Sequence, residues 1–194
     1  RGKMTATADT PASLKEALEN AKGTASDAIL YSYSNNLYVT WKEVREFALK
    51  EGVGSGFYKA VFGTPANVPA VEADAVEAVY SDDKQSPDYL WNKWHNESME
   101  DAASQAAFKN AATGSNFTIY QSSKEDESVG YYCYYFYWNR HNDNGNDGVM
   151  GPMEFAVVRN NVYKLAVTKI NRLGHPRNSD DDPDPLDPDD PDEK

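Results

Sequence analysis

An unusually aromatic run at residues 131–138, Y-Y-C-Y-Y-F-Y-W, constrains the fold more than any other part of the sequence. Large aromatic side chains favour the pleated, half-buried surface of a β-strand. Apolar runs follow at residues 153–158 and 162–170, and the latter alternates apolar with polar side chains. Asn160 and Asn161 separate these runs and tolerate the positive φ of a tight hairpin turn. These features predict a three-stranded antiparallel meander with a buried face.

Both faces of the aromatic strand are predicted to be covered, because both alternating sets of its side chains are large and apolar. Helical composition, rich in alanine and glutamate, begins after Pro69 and continues to Gly114. We therefore expect the sheet to lie between a partner sheet and a layer of helices inserted at about residues 64–114.

Two capping boxes predict helices in the first third of the chain. Residues 13–16 read S-L-K-E and residues 40–43 read T-W-K-E, each with a glutamate three positions after a hydroxyl residue. Gly23 and Gly52 supply the two stops.

Further helices are predicted in the middle of the chain. Pro87 after Ser86 suits the first turn of a helix that reaches residue 96. Residues 98–101 predict the cap of an alanine-rich helix that ends at Gly114. Apolar residues at helical spacing over residues 71–79 predict one more helix.

Shorter strands are predicted elsewhere. Residues 29–33 and 37–39 flank an Asn-Asn pair and form a second hairpin. The alternation in residues 1–7 indicates an edge strand, and residues 117–121 return to strand character. Residues 122–127 are polar and are predicted to be a connection.

The charge of the chain is concentrated at one end. Of the net charge of −12, residues 180–194 carry −8, from nine acids and one lysine, whereas residues 1–179 carry 22 acids and 18 bases. The body has no basic stripe, which disfavours binding to nucleic acid or to an anionic membrane surface. Residues 180–194 alternate aspartate with proline, and we expect an extended, solvated linker there.

Sites for chemistry are not indicated. Cys133 is the single cysteine, so disulfides and multi-cysteine metal sites are excluded, and we interpret it as a small buried hydrophobe. His95, His141 and His175 lie too far apart in sequence to indicate zinc. The oxygen-rich loop at residues 142–148 lacks the closing glutamate of a calcium loop, and a polar hairpin connection is favoured there. We predict no cofactor, no metal and no enzymatic activity.

One aromatic group admits two interpretations. Trp91, Trp94 and His95 fall on one face of a helix. Such a group stacks on a sugar ring in some proteins, but it is more often the buried stripe of a helix packed on a sheet.

A family resemblance lies in the aromatic region. Residues 133–144, C-Y-Y-F-Y-W-N-R-H-N-D-N, and residues 151–165, G-P-M-E-F-A-V-V-R-N-N-V-Y-K-L, together with L-G-H-P at residues 173–176, resemble the Mfa-type fimbrillins of Bacteroidales. These are the major shaft subunits of short fimbriae. The resemblance is dense over residues 131–176 and looser over residues 29–50.

The resemblance implies a structural protein of mainly β (α+β) class, with a transthyretin-like or Ig-like antiparallel β-sandwich that carries inserted short helices. Such subunits are made as lipoprotein precursors, reach the outer membrane and polymerise at the cell surface. A protease removes an N-terminal strand, and a strand of the neighbouring subunit replaces it. The implied partners are other fimbrial subunits, both identical and accessory, and surface ligands of a host or of other bacteria.

The resemblance further predicts that residues 1–179 are the C-terminal domain of such a subunit, and that residues 180–194 are the linker before a donor strand. A carbohydrate- or protein-binding surface adhesin module is the alternative function. A hydrolase has no support from any ordered pair of carboxylates.

Overall fold

The structure is a computed structural model that describes residues 1–21, 29–71, 77–125, 128–135, 144–146, 149, 151–153, 159, 162 and 164–176. Its strands are β1 (Gly2–Lys3), β2 (Ile29–Tyr33), β3 (Asn36–Tyr38), β4 (Thr118–Glu125) and β5 (Ser128–Cys133). Its helices are α1 (Ala12–Glu19), α2 (Trp41–Glu51), α3 (Gly56–Phe62), α4 (Pro87–Asn92) and α5 (Ala102–Gly114). A π-helical turn, Lys93–Glu97, continues α4.

The strands form one antiparallel sheet in the order β1-β5-β4-β2-β3. The β2–β3 hairpin confirms the predicted one, although its turn residues are Ser34 and Asn35, at φ 47° and 65°, rather than the Asn-Asn pair. The predicted edge strand is confirmed as β1. Residues 122–125 were predicted to be a connection but belong to β4, because they pair with residues 128–131 of β5.

The capping box of α2 is confirmed. Thr40 Oγ1 accepts a hydrogen bond from the Glu43 backbone N–H at 3.2 Å, and Glu43 Oε2 accepts from the Val39 and Thr40 N–H groups. The box predicted at residues 13–16 is wrong, because α1 begins at Ala12 without a side-chain cap. Pro11 precedes it, and its ring fixes φ near the helical value and so starts the helix early.

The two later helices also begin as predicted. Ser86 Oγ accepts from the Tyr89 N–H, and Pro87 occupies the first turn of α4. Asp101 accepts from the N–H groups of Ala103 and Ser104 at the start of α5. The helix predicted over residues 71–79 falls partly outside the described residues, and its described end is not helical, since Val79 forms an antiparallel bridge with Ala70.

The first face of the sheet packs on α2–α5 and forms an aromatic core. Trp41, Trp94 and Phe108 are completely or almost completely buried there. The Phe108 ring meets Trp41 edge-on at 5.3 Å and stacks on Trp94 at 5.6 Å. Offset and edge-on aromatic pairs add favourable energy to the burial of their apolar area.

A buried ion pair ties this helical layer together. Arg45 Nε lies 2.9 Å from Asp88 Oδ1, and Asp88 also accepts from Trp41 Nε1 and from the Ser81 backbone N–H, each at 2.8 Å. Arg45 donates to the carbonyls of the bridge between residues 70 and 79. Burial raises the pKa of Asp88, and the charge of Arg45 opposes this shift. The network links α2 to α4 and to the loop between α3 and α4.

The predicted meander is only partly present. Its first strand is β5, and its second run, residues 153–158, lies outside the described residues except for Met153. The third strand, predicted over residues 162–170, is wrong. Residues 162 and 164–170, which are the described part of this run, belong to no strand and are exposed. The reason lies in the sheet order: β1 and β4 occupy the two edges of β5 that a sequential meander would need.

The second face of the sheet carries a smaller core. Leu30, Tyr120, Tyr131 and Cys133 are buried there together with Met4. Leu14, Ala17 and Leu18 of α1 cover them, together with Ala21 just beyond the helix. The sequence placed the inserted helices over the aromatic strand, but α1 is the helix that packs chiefly on β5. The mixed α+β class with inserted short helices is confirmed, and a second sheet stays a prediction.

Candidate subunit interface

The N-terminal strand lies along the edge of β5. Gly2 pairs with Cys133 and Lys3 with Tyr132, and the Met4 N–H donates to the Tyr131 carbonyl at 2.8 Å. Three residues thus supply all the backbone pairing on this edge among the described residues. A strand this short holds its place mainly through side chains.

Met4 is the main apolar anchor of this strand. Its side chain is 8% exposed and lies in the second core with Leu30 and Tyr120. The neighbouring contacts are polar and lie at the surface: Lys3 Nζ donates to Ser128 Oγ at 2.7 Å, and the Arg1 guanidinium lies 5.7 Å from the centre of the Tyr132 ring. Exposed contacts of this kind contribute little each. The strand is therefore held by one buried side chain and a few hydrogen bonds.

A second terminal segment, residues 171–176, crosses the same face of the sheet, and we call it the strap. Tyr134 and His175 exchange two backbone hydrogen bonds of 2.9 and 2.8 Å. The hydroxyls of Tyr120 and Tyr135 donate to the carbonyls of Gly174 and Arg172. These contacts fix the strap where β4 and β5 separate.

Gly174 is required at the closest approach of the strap to the sheet. A Cβ at this position would lie 2.3 Å from the Tyr134 carbonyl oxygen and 2.8 Å from its carbon. Both obstacles are backbone atoms, so no side-chain adjustment would relieve the clash. Glycine thus allows the two backbones to meet.

The tyrosines under the strap are shifted toward their neutral forms. Burial raises the pKa of Tyr120 well above its ordinary value. Burial also raises the pKa of Tyr135 to about 12, with a further contribution from its hydrogen bond to Cys133. Both hydroxyls therefore stay protonated and keep donating at physiological pH.

A groove with a volume of about 490 Å³ opens beside the strap. Its floor is formed by β2 and β4, and its rim by two turns in which Ser34, Asn35 and Asn116 have positive φ. The lining residues are Ser32, Ser34, Asn35, Asn116, Thr118, Tyr120, Asn171, Arg172, Leu173, Gly174, His175 and Pro176. The lining is rich in hydroxyl and amide groups.

The tryptophan stripe is structural. Trp94 is completely buried and stacks on Phe108, while its indole N–H donates to the Met99 carbonyl. Trp91 is half-buried and stacks on His95 at 4.2 Å and on Trp41 at 6.4 Å. Because rings of the protein already stack on Trp91, the interpretation as a buried helical stripe is the better supported.

The other residues singled out from the sequence are dispersed. Cys133 is buried in the second core, as predicted, with its thiol near the Gly2 carbonyl and the Tyr135 hydroxyl. His95 lies in the π-helical turn and His175 in the strap, whereas position 141 is not described. Of the loop at residues 142–148, only 144–146 are described, and there Asn144 Oδ1 accepts from the Asn146 N–H.

In the part of the chain that the structure describes, no three histidine, cysteine or acidic side chains gather where a metal ion would bind. None of the described helices has the length and apolarity that would let it span a bilayer. What the fold offers is a sheet edge closed by a short strand, and a groove beside a strap. No role for Met4 or for the strap was predicted from the sequence, although Gly174 in L-G-H-P was a signal of close backbone approach.

Residues 129–193, about a third of the chain, match the family model described as "Major fimbrial subunit protein type IV, Fimbrillin, C-terminal". This match confirms the resemblance to fimbrillin C-terminal domains that was predicted from residues 131–176. The family consists of structural subunits, so the match supports a fimbrial, cell-surface role and favours a non-enzymatic protein. A search of curated proteins and a search of solved structures each found no match.

Proposed function

We propose that this chain, which carries a fimbrillin C-terminal domain, is a structural subunit of a bacterial surface fimbria that polymerises by strand addition and supports adhesion. The observation that carries the proposal is the way β1 occupies the edge of β5. A single buried side chain, Met4, and three paired residues hold this strand. A longer strand from a neighbouring subunit would satisfy the same backbone groups and bury more apolar area.

The geometry of β5 supports this mechanism. Its edge carries backbone donors and acceptors that need a partner, since exposed strand edges are templates for pairing with another chain. Tyr131 and Cys133 line the second core directly beneath the strand that would leave. Removal of β1 would therefore uncover both an unpaired edge and an apolar groove, and an incoming strand would cover both.

Residues 1–179 are proposed as the domain and residues 180–194 as a linker to the donor strand. The composition of the linker supports this, because alternating aspartate and proline keeps a segment extended. Export as a lipid-anchored precursor, assembly at the outer membrane and association with accessory subunits complete the proposal and rest on the family.

Filament formation tests the proposal. The chain is expressed with its natural continuation beyond Lys194, and a recognition site for a sequence-specific protease is inserted between β1 and α1, where residues 5 and 7 are exposed. After cleavage, electron microscopy should show filaments, because β1 can then be exchanged. The uncut chain with the same insertion is the control and should remain monomeric. Cleaved material that stays monomeric at every concentration would overturn the strand-addition mechanism.

The alternative of a carbohydrate-binding adhesin module has weaker support. The tryptophans that suggested sugar stacking are a buried Trp94 and a Trp91 that is stacked on His95. A glycan array distinguishes the two functions. Reproducible binding that is lost in Trp91→Ala but kept in an equally stable variant would favour the adhesin over the shaft subunit.

A further inference from the structure

The charge that lines the groove beside the strap is of one sign. None of the described residues that line it is acidic, whereas the positively charged Arg172 stands at its strap side. Hydroxyl and amide groups of Ser32, Asn116 and Thr118 add hydrogen-bond donors. In a body with a net negative charge, such a lining favours an anionic ligand.

The segment that leads into the strap extends this basic surface. Residues 155–179 contain no aspartate or glutamate. Their basic residues are Arg159, Lys164, Lys169, Arg172 and Arg177. Residues 164–170 are exposed along their whole length, and Leu165, Val167 and Ile170 are each more than 60% exposed. Among the described residues, Lys164 and Lys169 thus lie together with these apolar side chains on an exposed segment that runs into the strap.

The same sequence contains a segment of opposite charge. Residues 180–194 carry nine acids and one lysine, with prolines at 183, 185, 188 and 191. A proline-rich segment of this length spans roughly 45 Å when it is extended at about 3.1 Å per residue. Its carboxylates would be spaced along the segment, as Lys164, Lys169 and Arg172 are spaced along the exposed residues 164–172.

We propose that the groove and the exposed basic residues 164–172 bind the Asp/Pro-rich segment 180–194 of a second copy of this chain. This inference rests on the proposed function, and it gives the linker a docking site on the neighbouring subunit in addition to strand addition. The contact joins two different surfaces, so it is head-to-tail, and such contacts build open filaments rather than closed dimers.

A second copy is a better occupant than the segment of the same chain. Only residues 177–179 separate the strap from Asp180, so the segment would have to reverse at once to enter the groove that its own strap borders. The four prolines and the mutual repulsion of the aspartates oppose this reversal. A neighbouring copy can present the same segment without a turn.

Peptide binding tests the pairing. The receptor is the full chain with the aspartates of residues 180–192 changed to asparagine and with Glu193→Gln, so that its own segment does not compete. The probe is a fluorescent peptide of residues 180–194. We expect binding at about 50 mM salt that weakens by at least about tenfold at about 500 mM, because exposed ion pairs are screened. The same peptide with asparagine in place of aspartate should not bind.

Charge reversal identifies the surface. Lys169→Glu combined with Arg172→Glu should weaken peptide binding by at least about tenfold. Lys59→Glu makes the same kind of change on α3, on the opposite side of the sheet, and should leave binding within about twofold. Circular dichroism confirms that the variants fold. Equal effects of the two changes, or no binding at low salt, would overturn the proposal.

Cross-linking of the unaltered chain tests whether the segment in the groove comes from a second copy. Cross-linking of isotopically mixed copies should yield links between residues 180–194 of one copy and the groove of another. Links confined to single copies would overturn the choice of a second copy. Filament assays separate this inference from the proposed function. If the charge-reversed variant lost peptide binding yet formed filaments as well as the unaltered chain, strand addition would stand and the inferred role of the groove in assembly would fail.

Discussion

The two faces of the sheet are stabilised in different ways. On the first face, α2–α5 pack on β2–β4 around a continuous set of aromatic rings and a buried ion pair. On the second face, β5 is closed by α1 and by short segments from the two ends of the described chain, β1 and the strap. We call the first face the helical half and the second face the terminal half. The helical half is packed by its own helices and aromatic rings, whereas the terminal half depends on two short segments, β1 and the strap.

The difference predicts unequal resistance to local opening. Regions with few buried apolar contacts open at lower free energy than the core. Among the described residues the second core holds Met4 and the side chains of β2, β4 and β5 beneath it, and no aromatic ladder like that of Trp41, Phe108 and Trp94. An exchangeable strand is expected on the half that opens most easily.

The largest effect is expected from Trp94→Ala in the helical half. Removing this fully buried ring leaves a cavity beside Phe108 and should lower the free energy of unfolding by about 3–5 kcal/mol. Guanidinium unfolding measures the loss. Trp91→Ala, at a half-buried position, should cost clearly less. A loss below about 1 kcal/mol for Trp94→Ala would show that the helical half does not supply the main core.

Met4→Ala should act locally on the terminal half. It removes the apolar anchor of β1 and should cost about 2 kcal/mol, near the lower end for a buried methionine. Hydrogen exchange should then accelerate at the Met4 amide, which donates to Tyr131, and leave the amides of α5 unchanged. If exchange in α5 rose equally, the two halves would form one cooperative unit and the comparison would fail.

Gly174→Ala should release the strap. Its Cβ would overlap the Tyr134 backbone, and overpacking of this kind costs at least about 1 kcal/mol. Limited proteolysis should cut the variant faster within residues 171–176, while the helical half stays resistant. Gly54→Ala, where a Cβ would meet no atom within 4 Å, is the matched control and should leave the cleavage pattern unchanged.

The smallest effect concerns acid and the cap of α5. The side-chain hydrogen bond from Ser104, aided by the N–H groups of Ser104 and Ala103, lowers the pKa of Asp101 below its ordinary value of 3.8. A carboxyl whose pKa is depressed by folding stabilises the fold above pH 3.8, and this stability is lost as pH falls through the folded pKa. Asp101→Asn should be nearly neutral at pH 7, because asparagine caps equally well, and should reduce acid sensitivity. An unchanged acid-unfolding midpoint would contradict this.

Local signals in the sequence predicted the starts of three helices. Thr40 with Glu43, Ser86 with Pro87, and Asp101 each act through neighbours within four residues, so the pattern contains the whole interaction. The same logic failed at Ser13, where the preceding Pro11 starts the helix earlier. The β2–β3 hairpin was predictable for the same reason, apart from the position of its turn.

Strand partners were not predictable in this way. The aromatic strand was expected to pair with the apolar runs that follow it, but β5 lies between β4 and β1, and Cys133 pairs with a residue 131 positions away. Alternation of side chains shows that a strand has two faces, not which strand lies at each edge. The contact of Gly174 with Tyr134 likewise joins segments far apart in sequence.

The sequence by itself determined the mixed α+β class, the caps of three helices, the hairpin and the fimbrillin resemblance, because each depends on residues close together or on a contiguous signature. Only the tertiary structure decided that the N-terminal strand fills the edge of the aromatic strand, that α1 covers it, and that the strap borders a groove whose described lining has no acidic residue. These features come from the packing of distant segments, whose free energy depends on three-dimensional proximity and leaves no periodic trace in the chain.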